Sequence, residues 1–395
     1  MMTHFEVKNY KCLADCSLPL TPLHVIIGQN DSGKTSLLEA ILTLFRSTSQ
    51  PLASAFPGEW KGKELVFEKA EQPRIVFDAA FSGSLSQVDR LLEYHLEVEF
   101  RNPDRSCRLY NEWFKWAEDR IETIEYRHNQ GFSGVGARLQ PHFAPEMRPE
   151  ADLVHETIGS AQFYRLEPKV MALPSAIDPN RKFRLDQDGF GLPGLLDDIL
   201  GYDAELFLKL RHTFCSFFPQ FKSVRVETEA GFLRTSDEIG LRQGTMQNAG
   251  KGIYLTTHEG SSIRAQQASD GVLLFLGLLA IIYTPQPPKL LLIEEPEKGV
   301  YPKRLEEIIG IIRGLEEESL VRTIPQVILT THSPFLLSAF QPEEVTFLSR
   351  EGGVGPARAR PLRDAPKIAE RLGNGEFYLG ELWYNLTEEE LFHDA

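Results

Sequence analysis

The stretch Gly28-Gln29-Asn30-Asp31-Ser32-Gly33-Lys34-Thr35 constrains this chain more than any other feature, because it fits G-x-x-x-x-G-K-[ST] without deviation. An apolar run, His24 to Ile27, leads into it. Leu37, Leu38, Ile41 and Leu44 follow at helical spacing. A strand, a glycine-bearing loop and a helix in that order form a phosphate cradle. The loop's N–H groups converge on oxygen atoms, and the helix presents its positive end to the same anion. Lys34 would reach the β- and γ-phosphates and Thr35 Oγ would ligate Mg²⁺. The expectation is a nucleoside triphosphate site with Gly28, Asn30, Asp31, Ser32, Gly33, Lys34, Thr35 and Ser36 around the phosphates.

A second apolar run, Leu290 to Ile293, ends in Glu294 and Glu295. A run without polar positions reads as a central parallel strand, and open α/β sheets bind ligands at the carboxyl ends of such strands. Two adjacent carboxylates there need a cation between or beside them. Glu294 is therefore expected in the Mg²⁺ shell, and Glu295 as the group that orients and deprotonates an attacking water. A third run, Val327 to Leu329, leads to Thr331, His332 and Ser333. With a crossover helix over 302–320 the two runs make a βαβ unit, so His332 belongs at the same sheet edge and would contact the γ-phosphate.

Residues 271–283 are almost wholly apolar, and the run is 13 residues long. A membrane-spanning helix needs about 20, so the segment is expected to be a core helix packed under the ATPase sheet, with Ser269 and Asp270 at its start. No cationic segment followed by an apolar stretch opens the chain, and four scattered cysteines do not suggest a disulfide framework. The cytoplasm is the expected location, with no membrane partner. A net charge of −14 argues against coating nucleic acid through the overall field, while a local basic groove stays open.

Taken in order, "GQNDSGKTS", "ASDG", "LLLIEEPEKGVYP" and "LTTHSPF" resemble the ABC-type ATPases of the RecF, SMC and OLD group, in particular the compact members known as AAA family ATPases. The resemblance spans nearly the whole chain. It implies an α/β P-loop NTPase head of ABC/SMC type, with an antiparallel β subdomain and a helical signature lobe. It also implies that Ser269, Asp270 and Gly271 form a signature motif facing ATP held by a second subunit, so that the chain works as an ATPase, a homodimer or higher homo-oligomer closed around Mg-ATP. Glu294 takes the Walker B position, Glu295 that of the catalytic base and His332 that of the switch histidine. Four departures stand out: Glu294 in place of Asp, Ala268 where transporters have Leu, Asp270 in place of Gly, and Tyr301 where the group has His. Gln162 is the candidate Q-loop glutamine, and an ordinary strand residue is an equal reading of it.

Lys34 and Glu294 are 260 residues apart, so an insertion occupies the middle. The expected divisions are residues 1–125 with the P-loop and an antiparallel subdomain that includes "ELVFEKA", 126–160 as loop or mobile segment, 161–265 as a helical and β lobe, and 266–395 with signature, Walker B, switch histidine and an acidic, solvated or partner-binding tail. No sustained heptad arm and no TOPRIM-type nuclease constellation is legible. The chain is therefore expected to act through a separate effector, a nuclease or toxin, in DNA repair or anti-phage defence. The competing expectation is a nucleotide-gated scaffold that sequesters such a partner.

Overall fold

Two kinds of strand open the chain. In β1 (Met2–Tyr10) and β2 (Leu13–Pro19) buried residues are interspersed with partly exposed ones, as in a sheet covered on one face. In β3 (Leu23–Ile27) all five residues are buried. Its one polar member, His24, is fully covered because its ring nitrogens bond to Thr21 Oγ1 at 3.1 Å and Thr346 Oγ1 at 2.9 Å. This computed structural model describes the chain apart from residues 59–61, 86–87, 101–106, 117–121, 124–131, 139–147, 179–181, 235–247, 299–301, 318–324, 351–354, 366–367, 369–377 and 386–395.

The chain continues through α1 (Lys34–Ser47), the short α2 (Leu52–Ala55), then β4 (Arg74–Leu85), β5 (Val88–Phe100), β6 (Cys107–Trp116) and β7 (Glu122–Thr123). After α3 (Gly134–Ala137) and α4 (Arg148–Ile158) come β8 (Ala161–Tyr164), α5 (Pro168–Met171), β9 (Ser175–Ala176), α6 (Leu192–Tyr202) and α7 (Ala204–Phe217). β10 (Phe221–Gly231), β11 (Asn248–Thr257) and β12 (Ser262–Arg264) precede α8 (Asp270–Ile282), β13 (Leu290–Glu294) and α9 (Pro302–Glu317). The last described elements are β14 (Gln326–Thr331), α10 (Pro334–Leu337), β15 (Val345–Arg350), β16 (Ala357–Pro361) and a helix over Leu379–Asn385.

These elements divide into two compact units. The first comprises Met1–Phe163, Pro288–Leu292 and Pro325–Ala395, and it holds two six-stranded sheets. One is a meander, ordered β2-β1-β4-β5-β6-β7, and its printed pairings are all antiparallel. Its apolar side carries an aromatic cluster in which the rings of Tyr10, Phe56, Phe77 and Phe100 meet at centroid distances of 5.4 to 6.4 Å. The other is the central sheet, ordered β16-β15-β3-β14-β13-β8, with β15, β3 and β14 parallel. The Gln326 N–H donates to Lys289 O at 2.9 Å, so β13 and β14 start side by side and run the same way. The loops after β3, β13 and β14 therefore leave one edge of this sheet.

The second unit comprises Tyr164–Pro287 and Ile293–Ile324. Here β11 pairs with β10, β12 and β9 in a four-stranded antiparallel sheet. The helical spacing read over 192–217 becomes α6 and α7, joined at Asp203, whose carboxylate accepts from the N–H groups of Glu205 and Leu206 at 3.0 Å. Every residue of α8 from Val272 to Ile282 is buried.

Within its own unit α8 packs chiefly against α5, α6, α7 and α9, with Phe217 and Phe218 against Phe275 at 5.0 and 5.2 Å. Gly277 has a reason in that core, because the Met171 side chain fills the space a Cβ would take. Three expectations change. "ELVFEKA" is no strand; its first residues lie in a 3-10 turn, Gly62–Leu65, and Val66 makes one bridge to Tyr10. Within 126–160, read as loop, Arg148–Ile158 is a helix because Ala151, Val154 and Ile158 line one buried face. The tail is in part packed rather than solvated: Leu379 and Leu382 are buried, and Trp383 meets Phe347 edge-on at 5.0 Å. Glu376 and Glu388 to Glu390 lie outside the described residues, as does Tyr301.

Candidate functional site

The loop after β3 is held by features a side chain would spoil. Gly28 has φ +157°, and a Cβ there would meet the Leu348 carbonyl oxygen at 2.2 Å and Ser32 Oγ at 2.7 Å. Asp31 and Gly33 take left-handed φ angles of 61° and 103°. Gly33 is the N-cap of α1 and gives it no side-chain cap, so the first turn keeps its N–H groups for another acceptor. Lys34 is buried and folds back, donating from Nζ to the carbonyls of Gly28 at 3.0 Å and Gln29 at 2.8 Å. Ser32 is 3% exposed and its hydroxyl has no hydrogen-bond partner among the described residues. A buried hydroxyl without a partner and an uncapped helix end are what an oxyanion would satisfy, so these residues fit a bound phosphate chain. Asn30 and Asp31 are exposed at the loop's crest, with Thr35 and Ser36 half-buried in the first turn of α1.

Two supports of this loop were not legible in the sequence. Arg350 at the end of β15 donates from Nη1 to Asp31 O at 3.3 Å and from Nε to Gly355 O at 2.7 Å. Cys12 Sγ lies where a Cβ on Gly33 would be, 2.7 Å from that position. Both come from segments distant in sequence, and only the register of β15 against β3 brings Arg350 alongside.

His332 follows β14, and its loop is built by local bonds. The Ser333 N–H donates to Thr331 Oγ1 at 2.9 Å, and Ser333 caps α10 by accepting from Leu336 N–H at 3.3 Å. The C-terminal helix supports this turn from behind, because Gly380 sits so close to the Pro334 carbonyl that any side chain would collide. No signal in the sequence marked Gly380.

In the second unit, Glu294 closes β13 and is 7% exposed. Arg165, the residue after β8, reaches it with Nε at 3.6 Å from Oε2. Gln162, the Q-loop candidate, lies exposed within β8 three residues earlier. Glu295 takes a left-handed φ of 45°, uncommon for a side chain of its size, and Lys298 Nζ lies 2.5 Å from its Oε2. Each carboxylate of the pair thus has a cation within 4 Å, which favours two adjacent acids side by side. The carboxylate of Glu294 and the hydroxyl of Thr35 are each oxygen donors of the kind Mg²⁺ takes. Among the described residues no group of three or more His, Cys, Asp or Glu could hold a metal alone.

Ser269 is the N-cap of α8 and Asp270 its first residue, both exposed. Ser269 makes no side-chain cap bond, so its hydroxyl is not consumed by the helix it starts. Gly271 follows, half-buried. No helix among the described residues is long and apolar enough to cross a membrane.

Comparison with known proteins places this geometry. A crystal structure of the SmcHead bound to the C-winged helix domain of ScpA superposes with a TM-score of 0.54 at 15% identity, covering 93% of this chain and 99% of that one. The chain therefore has the P-loop NTPase fold of ABC/SMC-head type. The OLD nuclease of Thermus scotoductus (strain ATCC 700910 / SA-01) is 51% identical over 41 residues, which are 10% of this chain and 8% of that nuclease's length. Residues 23–338 match the family model AAA_21, described as "AAA domain, putative AbiEii toxin, Type IV TA system". The chain belongs to that AAA family and, with it, to the RecF/SMC/OLD-like group of ABC-type ATPases.

Proposed function

We propose that this protein binds Mg-ATP at the loop Gly28–Ser36, hydrolyses it to ADP and phosphate, and uses that cycle to close and open a homodimer that controls a separate effector. The observation that carries this reading is the cradle itself: an uncapped helix end, a back-folded Lys34 and the buried, unpartnered hydroxyl of Ser32 at the end of one strand.

In this reading the N–H groups from Asn30 to Thr35 bind phosphate oxygens, and Lys34 leaves the loop carbonyls for the β- and γ-phosphates. Thr35 and Glu294 hold Mg²⁺, which when bound neutralises charge developing on the β- and γ-phosphate oxygens. Glu295 accepts a proton from water as the water oxygen attacks the γ-phosphorus and the bond to the β-phosphate oxygen breaks. His332 donates to the γ-phosphate. Ser269, Asp270 and Gly271 of a second copy close the other side of the nucleotide, so that dimerisation and ATP binding are linked.

The effector is a nuclease or toxin, or a DNA site, in DNA repair or anti-phage defence. The family description naming a toxin–antitoxin system and the local likeness to an OLD nuclease support this direction. Light scattering of Glu295→Gln tests the switch: a dimer is expected with ATP and a monomer without it. A monomer with ATP bound would overturn the dimer, and normal hydrolysis by Lys34→Ala would overturn the site. DNA binding, if present, weakens as salt rises.

A second reading, a nucleotide-gated scaffold that sequesters its partner, is favoured by one observation. Both acids of the hydrolytic pair are tied to cations, Arg165 and Lys298, an arrangement suited to slow turnover. Turnover indifferent to DNA, together with co-purification of a partner, would select this reading over the first.

A further inference from the structure

Asp31 occupies a backbone position that suits glycine. The Ser32 N–H donates to Gln29 O at 3.3 Å and closes a turn over residues 29–32. Asp31 is the third residue of that turn and takes φ 61°. Glycine reaches this region freely, whereas Asp enters it against a steric cost. A strained residue of this kind persists only when its surroundings hold it.

The holder is Arg350, the last residue of β15. Its Nη1 donates to Asp31 O at 3.3 Å and its Nε to Gly355 O at 2.7 Å, so one planar guanidinium ties the turn to the hairpin of β15 and β16. The peptide group is planar, so a fixed Asp31 carbonyl also fixes the direction of the Ser32 N–H that closes the turn. The same hairpin underlies the loop at two further points. A Cβ on Gly28 would meet Leu348 O at 2.2 Å, and one on Gly33 would meet Ala357 Cβ at 3.4 Å. The register of β15 on β3, with Phe347 beside Ile27, sets these contacts. Loop and hairpin belong to the same compact unit.

From this geometry we infer that Arg350 is a positioning residue for nucleotide, holding the 29–32 turn in the shape that receives phosphate where the backbone itself would call for glycine. The inference rests on the reading of Gly28–Ser36 as the phosphate loop. It adds that the loop's preorganisation comes from the β15–β16 hairpin, more than 300 positions along the chain. Without Arg350 the Asp31 backbone relaxes out of the left-handed region, and nucleotide has to reorder the crest of the loop before it binds.

Titration with a fluorescent N-methylanthraniloyl ADP reads this directly and requires no turnover. Arg350→Ala is expected to weaken binding by about ten-fold, the loss of a charge-assisted hydrogen bond. In an Asp31→Gly background the turn reaches its φ without a side chain's cost, and there the same Arg350→Ala should weaken binding by no more than about two-fold. If Arg350→Ala fails to fold, Arg350→Gln takes its place in the same two backgrounds. Equal losses in the two backgrounds overturn the inference, because a merely structural arginine, or one acting through its charge alone, would give them. An Arg350→Ala protein that binds like the parent overturns it as well. Lys34→Ala is the control for the reading beneath and should lose binding. If it bound like the parent, the loop would not be the phosphate site and the inference would fall with that reading. If Lys34→Ala lost binding and the two Arg350→Ala losses were equal, the inference alone would fall.

Discussion

Acid should weaken this protein through one buried imidazole. His24 sits in β3, immediately before the phosphate loop, fully covered and bonded to Thr21 and Thr346. Burial lowers its pKa from 6.5 to about 3. The sign follows from linkage. Between those two values the unfolded chain binds a proton at His24 and the folded chain does not, so stability is intact above pH 6.5 and is lost progressively as pH falls toward 3. With those two pKa values, the loss between pH 7.5 and 5.5 is about 1.4 kcal/mol, RT times the logarithm of the unfolded chain's protonation factor. Other groups also titrate over that range, so the informative quantity is a difference. Urea denaturation of the parent and of His24→Gln at both pH values provides it. The variant starts less stable, because the ring leaves a gap in a packed sheet, but its acid-induced loss should be smaller by about 1.4 kcal/mol. Equal losses in parent and variant would refute the assignment of His24 as a neutral, buried group.

Three further outcomes follow from packing and backbone geometry. Gly28→Ala places a methyl group 2.2 Å from a backbone carbonyl that cannot swing aside, and overpacking of this kind costs about 1–3 kcal/mol; thermal denaturation and fluorescent-nucleotide titration should both register it. Glu295→Gly relieves a left-handed backbone and should raise stability by about 0.5–1 kcal/mol while abolishing hydrolysis, whereas Glu295→Gln should abolish hydrolysis without that gain. Tyr94→Phe removes a 2.7 Å hydrogen bond to the fully buried Glu112, whose remaining donors among the described residues are the Gly134 and Val135 N–H groups. Chemical denaturation should show a loss of about 1–3 kcal/mol, the range for leaving a buried acceptor without one of its donors.

The elements legible beforehand were those whose signal is local. Leu290 to Ile293 and Val327 to Leu329 leave no polar face, and both became buried strands of the central sheet. The alternation in 74–116 became the long hairpins of the meander, and the helical spacing of 192–217 became two helices. Errors arose where the local pattern was short or weak. Residues 64–70 make one bridge to β1 rather than a ladder, and the amphipathic face of Arg148–Ile158 spans only three turns.

The chain by itself determined the phosphate loop, the acid pair and the strand ends that carry them, because a run of residues with one conformational solution needs no distant information. Tertiary structure alone decided which cations hold those acids and what braces the loop. Arg165 is 129 positions from Glu294, and Arg350 is 319 positions from Asp31. Nothing in residue type distinguishes either arginine from a solvated one. Their roles come from strand order and register, which place backbones separated by hundreds of residues within the reach of one side chain, and no local pattern encodes that distance.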